Sequence, residues 1–177
     1  VLLKQFEKNV TESIERTAAN KDDDIAKFAA EIVEMIPIKV TAVMKKAKSG
    51  LDNPMIQSDE PNPEDVLALL SQLEETLHEA RENATNFTSY QEKLEVDDIP
   101  DYEELEEVEA DFNVKKALWK GIQSWAVLRT NWEQTLMEDI VSEDMDKQVN
   151  QYVRLAGKSK MKLQGCPATL KLSSDIN

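Results

Sequence analysis

The single histidine of the chain, His78, stands three residues after Glu75. This Glu-x-x-His spacing places two ligands on one helix face, as in di-iron carboxylate bundles, where each of two helices supplies such a pair. No second histidine exists, so that centre cannot be completed. His78 is also followed by Glu79, which opens a zinc-protease motif, but Glu82 fills the position of its second histidine. His78 therefore reads as structural or solvent-facing. Ala156-Gly157-Lys158-Ser159 carries the closing residues of a phosphate loop, yet Tyr152 occupies the place of the first glycine and no strand is expected before it. A helix end accounts for it better. Cys166, in a Gly-Cys-Pro turn, has no histidine near in sequence and cannot form an intrachain disulfide. Catalytic, cofactor-binding and metal residues are thus all unassigned, and the chain is not expected to be an enzyme.

The elements beneath these residues read as helix almost throughout. A length of 177 residues suffices for one domain with a real core, and 41% hydrophobic with 32% charged content is globular. Four glycines leave few turns, hence long elements. No run approaches the ~18 apolar residues of a membrane span, and VLLKQFEKNV lacks the features of a signal peptide. A water-soluble cytoplasmic chain is expected, and the absent initiator Met and the end at Asn177 read as a piece of something larger. A net charge of −14 argues against nucleic acid or an anionic membrane as partner, because either needs a positive face.

The three tryptophans, Trp119, Trp125 and Trp132, all fall in LWKGIQSWAVLRTNW. In heptads, Leu105, Phe112 and Trp119 share one phase, Val108, Ile122 and Leu136 a second, and Leu118, Trp125 and Trp132 a third. A helix with adjacent apolar rows must touch more than one partner, so bundle core is the expected setting. This helix should run from about Tyr102 to Met137, capped by Asp101 after a turn at residues 96–100.

Upstream, Leu3, Phe6, Val10, Ile14 and Ala18 define a first helix ending near Asn20. A second begins at Asp22–Asp24, continues through Ile25, Ala29, Ile32, Ile36, Val40, Val43 and Ala47 to Gly50, and is interrupted at Pro37. Residues 51–62, with Pro54 and Pro61 and no apolar period, read as a loop. Asn62, Pro63, Glu64 and Asp65 make a well-formed helix start. From there Val66, Leu70, Leu73, Leu77, Ala80, Ala84, Phe87, Gln91 and Leu94 alternate four and three without a slip, about 50 Å of helix. A further helix starts at Ser142 and closes at Gly157. A basic connector, KSKMKLQGCP, and the start of one more helix at PATLKLSSDIN complete an all-α reading: an elongated bundle of long antiparallel helices with coiled-coil-like packing. Charge is asymmetric, with eleven acids against Lys93 alone between Glu92 and Asp111, and six basic residues without an acid between Lys147 and Ser174. The two blocks are candidates to pair or to stand solvated.

From about residue 85 onward the sequence resembles the N-terminal tail and linker region of dynein heavy chains, more of the axonemal than of the cytoplasmic type. The residues that carry it are the acidic helix with Leu105 and Val108, Lys-Lys-x-Leu-Trp at Lys115 to Trp119, Trp125 and Trp132 beyond it, and a helix ending at Tyr152. Pro167, Leu170 and Leu172 look like the entry to the next linker helix, although Cys166-Pro167 replaces the usual Leu-Pro. Residues 1–84 carry no motif matched to the family.

The resemblance implies a non-catalytic mechanical segment joining tail to linker and transmitting force from an ATPase ring in microtubule-based movement. It implies 1–62 as tail-type helices with a Pro-containing loop, 63–156 as a long-helix bundle at the start of the linker, and 157–177 as a basic connector and further linker helix. Family-signature packing residues would be Leu105, Val108, Phe112, Leu118, Trp119, Ile122, Trp125, Trp132 and Tyr152. No cofactor is expected in this segment, ATP and Mg being bound elsewhere in the parent. Partners would be the rest of the heavy chain and other heavy, intermediate or light chains, with no nucleic acid and no membrane, in the cytoskeleton of a cilium or flagellum axoneme. A competing reading from the residues alone is an acidic helical interaction module, spectrin-like or an adaptor bundle, whose grooves bind a partner helix.

Overall fold

The structure, a computed structural model, describes residues 2–95, 99–136, 139 and 141–176. The side chains of residues 2–4 and of Glu7 also lie outside the description. Among the described residues the chain is all-α, a helical bundle without strands. In order it forms α1 (Leu2–Ile36), a π turn (Pro37–Thr41), α2 (Ala42–Leu51), α3 (Pro54–Gln57), α4 (Pro63–Lys93), α5 (Glu103–Gln134), α6 (Ser142–Lys162) and α7 (Pro167–Ile176). It divides into two compact units, Val1–Ala42 with Ala80–Asp101, and Val43–Glu79 with Tyr102–Asn177.

The helix starts obey local chemistry. The Asn62 side chain accepts from the Glu64 amide at 3.1 Å, with Pro63 in the first turn, as the sequence indicates. Glu103, Glu104 and Glu106 place negative charge at the positive end of α5. The α5 cap is Tyr102 rather than Asp101, and it makes no side-chain cap hydrogen bond. Ser142 opens α6, as the sequence indicates, behind a Val141 cap.

Helix ends depart further from the sequence reading. No break occurs near Asn20: α1 is continuous through it, because nothing between residues 2 and 36 removes an amide or requires a left-handed backbone. Pro37 does perturb the chain, though as a π turn in which the Ala42 amide donates to the Pro37 carbonyl, five residues back. The helix resumes at once instead of breaking. Gly157 does not close α6, which continues to Lys162; the positive φ of 78° is at Gly165, beyond the Leu163 cap. Residues 158–162 of the expected connector are therefore helix. α4 ends where Glu95 takes φ 54°. Residues 96–98, part of the expected turn before α5, lie outside the described residues, as do Leu3's side chain and Met137.

In the unit of residues 43–79 and 102–177, the core is built from Met44, Ala47 and Leu51, from Val66, Leu70, Leu73 and Leu77, and from the apolar rows of α5. Residues 51–62 are not a simple loop. Asn53 accepts the Met55 amide at 2.9 Å and caps the single turn of α3, which buries Ile56. In the unit of residues 1–42 and 80–101, Ile36 and Val40 are buried and Ile25, Ala29 and Ile32 half-buried, with Ala80, Ala84 and Gln91 buried on α4. Phe87 and Leu94 are half-buried. The forward end of α1 is uncovered: Phe6, Val10, Ile14 and Ala18 are all exposed.

Candidate functional site

The chemistry-bearing residues singled out in the sequence do not converge. His78 and Glu75 are both exposed on α4, and Lys158 is exposed on α6. The half-buried Cys166 thiol donates to the Gln57 carbonyl at 3.4 Å, which ties the start of α7 to the end of α3.

What does converge is a set of hydrogen-bond donors on adjoining faces of α5. Lys115, 7% exposed, donates its ammonium to the Leu51 carbonyl at 3.1 Å and to Asp111 Oδ2 at 2.7 Å. One helical turn later, Trp119 Nε1 donates to the Ile56 carbonyl at 2.9 Å. Further on, Trp125 Nε1 donates to the Asp175 carbonyl at 3.0 Å. Each acceptor lies in the last turn of a different helix, α2, α3 and α7 in turn. The carbonyls of a helix's last turn have no partner within that helix and carry partial negative charge. α5 thus supplies the missing donors to three neighbouring helix ends, and the cation among them also meets the helix dipole of α2.

Packing holds the donors in place. Trp119 is fully buried and Trp125 nearly so; the Trp125 ring meets Trp132 at 5.8 Å and Tyr152 at 5.1 Å, both edge-on. Gly121 is buried where Leu155 of α6 comes close: a Cβ built at Gly121 would lie 2.3 Å from Leu155 Cδ2 and 3.6 Å from Leu172 Cδ2. Its lack of a side chain leaves room for the Leu155 methyl of α6, while Leu172 of α7 stands at ordinary contact distance. Lys171 of α7 donates to the Asp59 carbonyl beyond α3, and Lys48 of α2 pairs with Glu104 of α5 at 3.1 Å. Glu74 of α4 pairs with Lys116, whose ammonium lies 5.5 Å from the Phe112 ring centroid.

Of the nine positions that the resemblance led one to expect in the packing, Leu105, Val108, Phe112, Leu118, Trp119, Ile122 and Trp125 are buried, while Trp132 and Tyr152 are half-buried. Leu136, expected in the second row, is 64% exposed because α5 has already ended at Gln134. Lys115 is absent from the apolar rows of the sequence, yet it completes the buried series Leu105, Val108, Phe112, Lys115, Trp119, Ile122 at alternating three and four. A charged residue at an inward position was the available signal. Leu51 and Ile56 lay hidden in a segment without apolar period.

A second feature belongs to the other unit. Phe28, Ile32 and Met35 of α1, with Phe87 and Tyr90 of α4 and Leu94 beyond it, line an open apolar groove of about 470 Å³, with Glu31 and Lys93 also on its walls.

Compared with known proteins, the chain is 23% identical over 145 residues to dynein axonemal heavy chain 6 of Homo sapiens. The alignment takes in 82% of this chain and 3% of the human protein. The chain is thus distantly similar to a short stretch of a dynein heavy chain. An alignment of that length does not fit between residues 85 and 177, so the similarity extends upstream of the matched motifs. No protein-family model and no solved structure matches the chain. No described helix is long and apolar enough to cross a membrane.

Proposed function

We propose that this chain is a non-catalytic mechanical segment of a dynein heavy chain, at the junction of tail and linker, which transmits force from the ATPase ring during microtubule-based movement in an axoneme. What carries the reading is α5, whose Lys115, Trp119 and Trp125 hold the ends of α2, α3 and α7, together with the distant similarity to an axonemal heavy chain. A force-bearing element needs neighbours that cannot slide along it. Buried, hydrogen-bonded indoles oppose sliding, because a shift breaks a bond in a place water does not reach. The segment itself has no catalytic role and binds no cofactor in this reading; ATP and Mg belong to the ring.

The test uses the complete heavy chain. Trp119→Phe combined with Trp125→Phe keeps aromatic bulk and removes both indole donors. Microtubule-stimulated ATP turnover should persist while gliding velocity falls at least twofold. Unchanged gliding by a variant whose thermal stability has dropped would sink the proposal, and so would ATP turnover by the 177-residue chain alone. The competing reading, an acidic helical interaction module, is favoured by one observation, the open apolar groove on α1 and α4.

A further inference from the structure

In a chain of 35 acidic and 21 basic residues, four neighbouring cations stand without an acid. Arg154, Lys158, Lys160 and Lys162 of α6 are exposed, and among the described residues their side chains make no ion pair or hydrogen bond. The acidic block at residues 92–111 therefore does not neutralise them. The negative end of α6 accounts for Lys160 and Lys162, which lie in its last turn. Arg154 and Lys158 lie before that turn, where the dipole has faded.

Helical phase sets these cations beside two other features. At about 100° per residue, Arg154, Lys158 and Lys162 share an arc of about 80° and form a row about 12 Å long. About 100° away, Val153, Gly157 and Met161 form a second row in step with the first. Val153 is 48% exposed and Met161 71%. Gly157 is exposed within the helix, and a Cβ built on it would meet nothing within 4 Å, so nothing inside this chain requires a residue that weakens a helix there. The acids of α6, Glu143, Asp144 and Asp146, all lie in its first two turns. On the α5 side, Lys158 and Lys162 line a groove of about 300 Å³ with Ala110, Asn113, Val114 and Ala117, and no acid stands on its walls. Asp111, which lines the adjoining hollow with Lys162, is already paired with Lys115 at 2.7 Å, and Glu106 and Glu109 nearer the start of α5 are already engaged.

We propose that this face of α6 docks an acidic amphipathic helix of a partner protein. Its Glu or Asp side chains lie against Arg154, Lys158 and Lys162, and a seam of small and aliphatic residues lies against Val153, Gly157 and Met161. Two adjacent rows of four-residue period fit a helix. An extended strand turns alternate side chains to opposite faces and cannot present both rows to one surface. Gly157 gives the partner's backbone its closest approach. A nucleic acid or an anionic membrane reaches well past two turns of helix and meets the negative charge of the rest of the chain. The inference does not use the α5 bonds on which the mechanical reading rests.

The test is fluorescence anisotropy of the 177-residue chain with two designed 21-residue helical peptides. Both carry Ala and Leu along one seam; one has Glu beside it at four-residue spacing, the other Lys. The net charge of −14 attracts the Lys peptide, so binding of the Glu peptide at least tenfold more tightly requires a local basic row. Arg154→Glu with Lys158→Glu should abolish that preference, whereas Lys21→Glu, at an exposed position of α1, should leave it unchanged. Gly157→Leu should weaken the Glu peptide at least fivefold without lowering the melting temperature, since the added side chain enters open space. Should the charge-reversal variant fail to fold, as read by circular dichroism, Gly157→Leu still decides. Preference for the Lys peptide, equal binding, no binding, or a Glu-peptide preference that survives either α6 variant would overturn the proposal. Binding of phosphatidylserine vesicles, or dimerisation in analytical ultracentrifugation, that the charge reversal abolishes and that occurs without Glu-peptide binding would assign the row to a membrane or a second copy instead.

Discussion

Lys115 shows at the scale of one residue how a charge is accommodated in an apolar row. Its ammonium is out of water but donates to a carboxylate and to a carbonyl at a helix end, so its loss of hydration is offset by charge-assisted bonds. Lys115→Met keeps the stem and deletes the charge. It should cost about 1.5–3 kcal/mol in urea unfolding, the scale of hydrogen bonds to charged groups; no loss would mean that the ammonium contributes nothing net. Trp119→Phe should cost about 1–3 kcal/mol by leaving the Ile56 carbonyl without its donor, and Trp119→Ala about 3–5 kcal/mol. Exposed Lys160→Ala should leave the unfolding curve where it is. Gln91 is the opposite case to Lys115: it is fully buried, and neither its amide nitrogen nor its oxygen has a hydrogen-bond partner among the described residues. Gln91→Met should therefore raise the unfolding midpoint, by up to about 1–3 kcal/mol; a lower midpoint would point to a partner for the amide. The inward position of Gln91 could be read from the spacing of α4. That its polar atoms go unpaired could not, since heptad phase gives direction and says nothing about what stands opposite.

Individual helices divide cleanly into what local sequence encodes and what packing decides. The start of α4 was legible because Asn62 and Pro63 act within one turn of themselves. The burial of one side of α5 was legible because its apolar rows recur at heptad spacing through the middle of the helix and leave Asn113, Lys120 and Ser124 outward. The single turn of α3 was not, since four residues have no period; it is held by Asn53 and by an indole 63 residues away in sequence. Gly157 misled for a related reason. Glycine permits a left-handed end without compelling one, and with no side chain or backbone crowding it, α6 simply passes through. Gly121 is the reverse, a glycine that lowers helix propensity and has a Leu155 methyl in the space of its missing side chain. Gly121→Ala sets a gain of about 1 kcal/mol in propensity against displacement of one leucine methyl and should be nearly neutral. Gly121→Leu cannot be accommodated that way and should destabilise by about 1–3 kcal/mol in thermal melts.

Across the whole molecule, net charge decides how stability responds to salt. Pairs such as Lys8–Glu12, Lys27–Asp24, Arg129–Glu133 and Lys147–Asp144 are largely solvent-exposed and contribute little individually. The charge of −14 meanwhile opposes compaction everywhere. Raising sodium chloride from low to moderate concentration should consequently raise the melting temperature slightly; a clear fall would show that the surface pairs outweigh self-repulsion. The sequence made this balance visible, but not the division of the chain into two units, which depends on contacts between segments far apart in the chain.

The bonds from α5 to the ends of its neighbours have a consequence in time as well as in strength. Ten-residue α7 and one-turn α3 are too short to persist alone in water, so their amide protons are shielded only while their packing holds, α7 on α5 and α6 and α3 beneath the Trp119 indole. In deuterium exchange they should open at the slow pace of α5 rather than fray. Losing the Trp125 donor should loosen the last turn of α7, leaving α3 still shielded through Trp119.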